Sequence, residues 1–399
     1  MSQQASSVPR LLIISFSDLA SDPRVDRQID FLQTKYRIIA AGIGPPRHKV
    51  EGFIDISTPR RSVAGRALGL ARLMTRRYED VYWKHPTNVE VLERLRGVRA
   101  DVIVANDLSS LPVALRLGPP VFFDAHEYAP REFENVLWWR LVIKPFALWQ
   151  CRHYIPQVAA MTTVGEAIAA EYERETGVRA TVVTNAPRRT DLEPTPVHQP
   201  IRVLHHGGAM PGRGLEEMIR VAELLDERFT TTFVLADTVA GDARATGARR
   251  RYLDRLIRHA GRHPRIRFLS PQPMHTLVRM ANDYDIGLFL LCPVNFNWRF
   301  ALPNKFFEFI QARLAVAIGP SPEMARIVRE RGLGVVAADF APESLAAALN
   351  ELDGSAIAQF KRASHAAADE LCAEVNADVM QRVVETALAE DPRDDAQQT

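Results

Sequence analysis

The stretch 201–237, IRVLHHGGAMPGRGLEEMIRVAELLDERFTTTFVLAD, reads as a strand, a glycine turn, a helix and a second strand. Its first run is apolar and ends at His205, His206, Gly207 and Gly208; Arg213 and Gly214 open LEEMIRVAELLDE, whose apolar residues recur at helical spacing, and TTFVLAD follows. Short, nearly continuous apolar strands joined by amphipathic helices predict a parallel sheet covered on both faces.

The same alternation extends in both directions. Downstream come IRFLS (266–270), IGLFLL (286–291) and GLGVVAA (332–338). Upstream come RLLIISFS (10–17), RIIAAGIG (37–44), DVIVAND (101–107), PVFFDAHE (120–127) and MTTVG (161–165). It lapses only at APRRTDLEPTPVHQP (186–200), where four prolines and few large apolar residues mark an interdomain linker. The expectation is therefore α/β: two Rossmann-like, doubly wound parallel-sheet domains, 1–187 and 188–370, facing across a cleft. Residues 391–399 are expected as a disordered tail.

The totals narrow the chemistry. With 399 residues, 47% hydrophobic and 25% charged, the chain is an ordinary globular protein long enough for two or three domains. A formal charge of +2 makes no case for nucleic acid, and none is expected as a partner. Cys151, Cys292 and Cys372 are scattered, without disulfide or zinc spacing, which fits a reducing cytoplasm. The start MSQQASSVPR lacks a signal pattern, and no run approaches the roughly 20 apolar residues of a membrane span. A cytoplasmic protein is expected, at most peripheral at the inner face of a membrane. For NVLWWRLVIKPFALWQCRHYI (135–155), which holds three of the five tryptophans, two readings stay open: an interfacial amphipathic helix, or a helix packed on the N-terminal sheet. The arginine-rich segment 244–267 reads as a solvated helix face.

Candidate site residues lie where strands end, because open α/β sheets bind ligands at the carboxyl ends of their strands. In LPNKFFEF (302–309), Pro303 is expected in the first turn of a helix whose start suits phosphate, with Lys305 as a mobile cation. Asn304, Lys305 and Glu308 share a face, and Glu308 is placed to accept hydrogen bonds from a ribose diol; an ordinary Lys–Glu surface pair is the alternative. Gly207 and Gly208 allow close backbone approach to a pyrophosphate, and Arg213 can bind it bidentately, although the pattern is not GxGxxG. His126 and Glu127 follow a strand directly, where a histidine can exchange or orient a proton near neutral pH. Asp22, the expected N-cap of DPRVDRQIDFLQTKY, joins Arg24, Asn106 and Asp107 on the rim of the first domain. The DYD at 283–285 reads as helix-end and strand-start acids, and no metal site is expected.

Seven segments in order, SDPRVDRQIDFL, VIVANDLSSLP, FFDAHEYAP, MTTVGEAIA, VVTNAP, HHGGAMPGRGLEEMI and LPNKFFEFIQA…VAIGPSPEM, resemble the GT-B glycosyltransferases, most of all retaining family 4. The likeness covers about residues 10–350. It implies metal-independent transfer of a sugar from a nucleotide diphosphate, UDP or GDP foremost, to an acceptor hydroxyl with retention. It also implies a C-terminal domain binding the nucleotide sugar and an N-terminal domain binding the acceptor. Glu308 then binds the ribose, Arg213 the diphosphate, and His126 the transferred sugar; no cofactor or protein nucleophile is needed. A final helix at 371–390 packing back on the first domain is implied too. The setting it suggests is polysaccharide or glycolipid assembly, with a carbohydrate or lipid-linked acceptor. Two positions depart from the pattern: Phe300 stands where many members carry an acid, and Ala209 where many carry an arginine. Lys305 is the candidate to supply the missing charge. The competing readings are a catalytically inactive sugar-nucleotide-binding partner of another transferase, a natural-product tailoring enzyme, or an epimerase of the same fold.

Overall fold

The computed structural model describes residues 8–57, 63–238 and 243–389; the tail expected at 391–399 lies outside the described residues. Two compact units divide the chain. The first runs to Thr184 and adds Asn295–Asn297 and the chain from Ala377; the second comprises Asn185–Val294 and Trp298–Asn376.

The first unit is a parallel sheet of β1 (Arg10–Asp18), β2 (Arg37–Ile43), β3 (Gly52–Asp55), β4 (Val102–Asn106), β5 (Val121–Ala125), β6 (Ala160–Thr163) and β7 (Thr181–Val182). Its order is β3-β2-β1-β4-β5-β6-β7. Leu11–Ile14 and every residue of β4 and β5 are buried, because helices cover both faces of the sheet. The strand order reverses between β1 and β4, which leaves a crevice at their carboxyl ends. β3 and β7 have no counterpart among the expected strands. They are short sheet-edge pieces without a buried residue, so they lack the apolar run that betrays a central strand.

Around the tryptophan-rich segment, a π-helical turn at Trp139–Ile143 runs into the helix Lys144–Tyr154. Ala147, Gln150, Cys151 and Tyr154 of that helix are buried, while Trp149 stacks on Phe146 and His153. At the chain's end, the helix Ala373–Ala389 belongs to the first unit from Ala377. There Gln381 donates to the Phe31 carbonyl at 3.3 Å and Glu385 pairs with Lys35 at 3.6 Å.

The second unit repeats the plan with β8 (Ile201–Gly208), β9 (Phe229–Ala236), β10 (Ile266–Leu269), β11 (Ile286–Phe289), β12 (Ala315–Ile318) and β13 (Gly334–Val336). The order β10-β9-β8-β11-β12-β13 again reverses beside its first strand, between β8 and β11. The arginine-rich helix Ala243–Ala260 buries Tyr252, Leu253, Leu256 and Ala260 and turns Arg251, Arg255 and Arg258 to solvent. The stretch 186–200 has no regular secondary structure but is fixed to the second unit. The buried Arg313 donates to the carbonyls of Thr190 (2.7 Å), Leu192 (3.0 Å) and Gln311 (2.7 Å). Asp285 of the DYD is fully buried just before β11, paired with the buried Lys361 at 3.0 Å and accepting from the His198 backbone N–H.

Candidate functional site

The second unit gathers its candidates at the β8/β11 reversal. β8 delivers His205 and His206 buried, then Gly207 and Gly208 where the strand leaves the sheet. His205 is held by Leu288, whose carbonyl lies 2.9 Å from its Nδ1. Gly214 caps the helix Leu215–Leu224 with φ 73°, and a Cβ there would meet the Leu290 carbonyl at 2.2 Å, so only glycine fits. That close approach sets Arg213 just outside the crevice, exposed, with its guanidinium 5.6 Å from the Trp298 ring centre.

The helix Asn304–Gln311 brings the other half. Pro303 is its N-cap, in an extended conformation, rather than a first-turn residue, which corrects the expected helix start. Phe306, Phe307, Phe309 and Ile310 anchor the helix in the core. Lys305 reaches back over the Phe289 ring (4.7 Å) to Gly207, where a Cβ would lie 2.7 Å from its Nζ. Burial, with the positive charge of Arg213 nearby, lowers the Lys305 pKa to about 7. Glu308 is 4% exposed, so the surface-pair alternative does not hold. Its Oε2 lies 3.5 Å from the buried Nε2 of His206. Burial and the Lys305 charge bring the His206 pKa down to about 3, so this contact is carboxylate against neutral imidazole and not an ion pair. Arg213, Lys305, a glycine turn and a buried carboxylate thus share one crevice: the two basic side chains can take a diphosphate, and the carboxylate can accept from a diol.

The first unit places its candidates around the β1/β4 reversal. Asp22 caps the helix Pro23–Leu32, accepting from the backbone N–H groups of Arg24 (3.0 Å) and Val25 (3.3 Å). Arg24 donates bidentately to Asp107 at 3.0 and 2.8 Å and is largely buried, so it is an internal clamp and not an open rim residue. Asn106 is fully buried, which removes it from the expected rim. Asp107 sits at φ 63°, a left-handed conformation that aspartate tolerates, and its carboxylate accepts the backbone N–H of His126. Burial and the charge of Arg24 hold the His126 imidazole down at about 4. At neutral pH it is uncharged, with one ring nitrogen to donate and one to accept, so it can orient a hydroxyl. Glu127 accepts from Asn297 Nδ2 at 3.2 Å, and Asn297 Oδ1 accepts the Tyr128 N–H at 3.0 Å.

Three residues of this region went unread in the sequence. Asp124 is buried, accepting from Gln28 at 2.5 Å and from the Thr162 hydroxyl at 2.6 Å. Glu132 is raised to about 7 by burial and by the charges of Glu127 and Asp107. Asn297 reaches Glu127 from 170 positions away along the chain. An acid inside the apolar strand VFFDA was the one visible signal, for Asp124; nothing local marks the other two.

The chain matches no protein-family model and no curated protein. Solved structures do match it over nearly its whole length. An α,α-trehalose-phosphate synthase (UDP-forming) from Burkholderia vietnamiensis aligns with TM-score 0.67 and 13% identity, covering 94% of this chain and 99% of that one. Anabaena Alr3699/HepE in complex with UDP aligns with TM-score 0.66 and 14% identity, covering 95% and 100%. The fold is GT-B. Both GT-B units here are the six-strand Rossmann order, extended in the first by β7.

Proposed function

We propose that this chain is a retaining glycosyltransferase that moves a sugar from a nucleotide diphosphate to an acceptor hydroxyl. The observation that carries the reading is the convergence of Gly207, Arg213, Lys305 and Glu308 on one strand-order reversal of the second unit. Glu308 accepts hydrogen bonds from the ribose diol, Gly207 and Gly208 let the backbone approach the diphosphate, and Arg213 and Lys305 offset its charge. Asn304 completes this donor side. UDP is the first base to test, since HepE was solved with UDP and with UDP-glucose; GDP is the second. The first unit binds the acceptor, a carbohydrate or lipid-linked sugar in polysaccharide or glycolipid assembly. His126 hydrogen-bonds the transferred sugar as a neutral imidazole, held by Asp107 and Arg24, while Asn297 orients Glu127.

In the reaction the anomeric carbon–phosphate oxygen bond breaks and the acceptor oxygen bonds the anomeric carbon on the same face. The acceptor proton passes to the departing diphosphate. Lys305 stands in for the arginine that Ala209 lacks: Ala209 is fully buried and uncharged, and the Lys305 amine lies against Gly207, two residues before it. With charge offset supplied by side chains, no metal is required, and transfer is expected to persist in excess EDTA. A calorimetric panel of UDP, GDP, dTDP and ADP against wild type and Glu308→Ala tests the site. One diphosphate bound selectively, and lost in the variant, supports it; no binding by any of the four sinks it. A second reading rests on Phe300 and Ala209, a nucleotide-sugar-binding partner without activity. Donor binding with no hydrolysis or transfer across an acceptor panel would favour that one.

A further inference from the structure

Asp124 is the kind of residue that an interior strand should least contain. It lies in β5, VFFDA, at 4% exposure, where a buried carboxylate costs free energy that an apolar residue would not. Its oxygens accept from Gln28 Nε2 at 2.5 Å and from the Thr162 hydroxyl at 2.6 Å, and Arg24 Nε stands 3.9 Å away. Gln28 and Arg24 are one turn apart on the helix Pro23–Leu32, so Asp124 meets one face of that helix at two points. Arg24 in turn grips Asp107 through both terminal nitrogens, at 3.0 and 2.8 Å. Asp107 sits at φ 63°, and its carboxylate accepts the His126 backbone N–H. A line of contacts thus leaves the end of β5, crosses the helix and the end of β4, and returns to His126, two residues beyond Asp124. The cluster is not arranged for its own satisfaction. Arg24 Nε, Gln28 Oε1 and both amide atoms of Asn106, the residue opposite Asp124 on β4, are buried without a hydrogen-bond partner among the described residues. Groups left so in a native fold mark a functional constraint more than a stabilising one.

We propose that Asp124 is a positioning residue for the transfer: through Gln28 and Arg24 it fixes Asp107, and through Asp107 it fixes where His126 meets the sugar. Burial raises the Asp124 pKa, and Arg24 and the Thr162 hydroxyl draw it back toward the ionised form. In Asp124→Asn an amide N–H2 replaces one of the two acceptor oxygens, which leaves Gln28, Thr162 and Arg24 short of a partner. The inference rests on the transferase reading, but its first test needs no turnover.

In the full chain carrying nitrogen-labelled histidine, Asp124→Asn is expected to move the His126 amide signal. Exchange of that amide hydrogen should quicken about tenfold, as its hydrogen bond to Asp107 loosens. UDP affinity, read by calorimetry, stays as in wild type. Thr162→Val is the control: it takes one hydrogen bond from Asp124 but leaves both helix contacts, so it should lower the melting temperature without moving the His126 signal. In turnover of UDP-glucose, by hydrolysis or transfer, Asp124→Asn should lower kcat about tenfold with KM for the donor unchanged, and should add little to His126→Asn, because both act at one ring. An unmoved His126 amide in folded Asp124→Asn overturns the proposal. So does an equal shift in Thr162→Val, or a kcat loss fully additive with that of His126→Asn. If Asp124→Asn does not fold, Asp124→Glu, which keeps the carboxylate but displaces it, carries the same spectral test. Because the spectra need no donor, a chain that turns nothing over sinks the transferase reading alone.

Discussion

A lysine that loses its charge near neutral pH is a sensitive reporter of an anion. The Lys305 amine has its pKa lowered to about 7 by burial and by Arg213, whereas a diphosphate favours its charged form. Below pH 7 the cation is already present. Above pH 7 binding must first take up a proton, so UDP affinity is expected to fall as pH rises from 7 toward 9, with proton uptake measurable by calorimetry in buffers of different ionisation heat. Lys305→Arg should flatten that dependence, and Lys305→Ala should weaken UDP by about tenfold, as Arg213→Ala does, because each removes a charge-assisted hydrogen bond. Undiminished affinity in Lys305→Ala would remove Lys305 from the donor site. His126 carries the opposite lesson. Its folded pKa, about 4, lies below the ordinary 6.5, so the unfolded chain binds the proton first as pH falls. Its contribution to stability is whole above about pH 6.5 and is lost between there and pH 4. In His126→Asn the loss of stability over that window, followed by urea unfolding, should be shallower than in wild type.

At the scale of elements, the proline-rich stretch 186–200 behaves as part of the second unit because single side chains hold its backbone. Arg313→Ala would strand the carbonyls of Thr190 and Leu192, at about 1–3 kcal/mol for each buried group left unpaired. A drop in the urea midpoint is the expected sign. The Asp285–Lys361 pair, with both side chains at or below 1% exposure, is a harsher case. Asp285→Ala leaves a buried ammonium without its partner and is expected to cost about 3–5 kcal/mol. Asp285→Leu combined with Lys361→Met should recover part of that loss: two apolar side chains leave no unpaired charge, but the backbone N–H groups of His198 and Arg202 lose their acceptor. A double variant as unstable as Asp285→Ala would mean that the pair organises the linker as well as satisfying itself.

For the whole molecule, the proposed division of labour makes a prediction about where ligand is felt. UDP should slow hydrogen exchange in peptides covering 204–215 and 302–312 of the second unit, and leave β4 and β5 of the first unchanged. Protection of β4 and β5 instead would reverse the assignment of donor and acceptor units. Much of this was written locally. Continuous aliphatic runs such as Leu11–Ile14 need burial on both faces, so the central strands, the parallel sheets and the two-unit organisation follow from period and composition, whereas the edge strands β3 and β7 do not. The glycines that end β8 and the triad Asn304, Lys305 and Glu308 were likewise visible, because they interrupt apolar patterns without a structural motive. What the sequence could not show is how those residues are solvated and who faces them. Only the tertiary structure buried Glu308 beside His206, laid Lys305 on Gly207 almost a hundred residues away, turned Arg24 inward onto Asp107, and left His126 neutral. Each depends on desolvation and on partners remote in the chain, whereas helix and strand are decided by neighbours within a few residues.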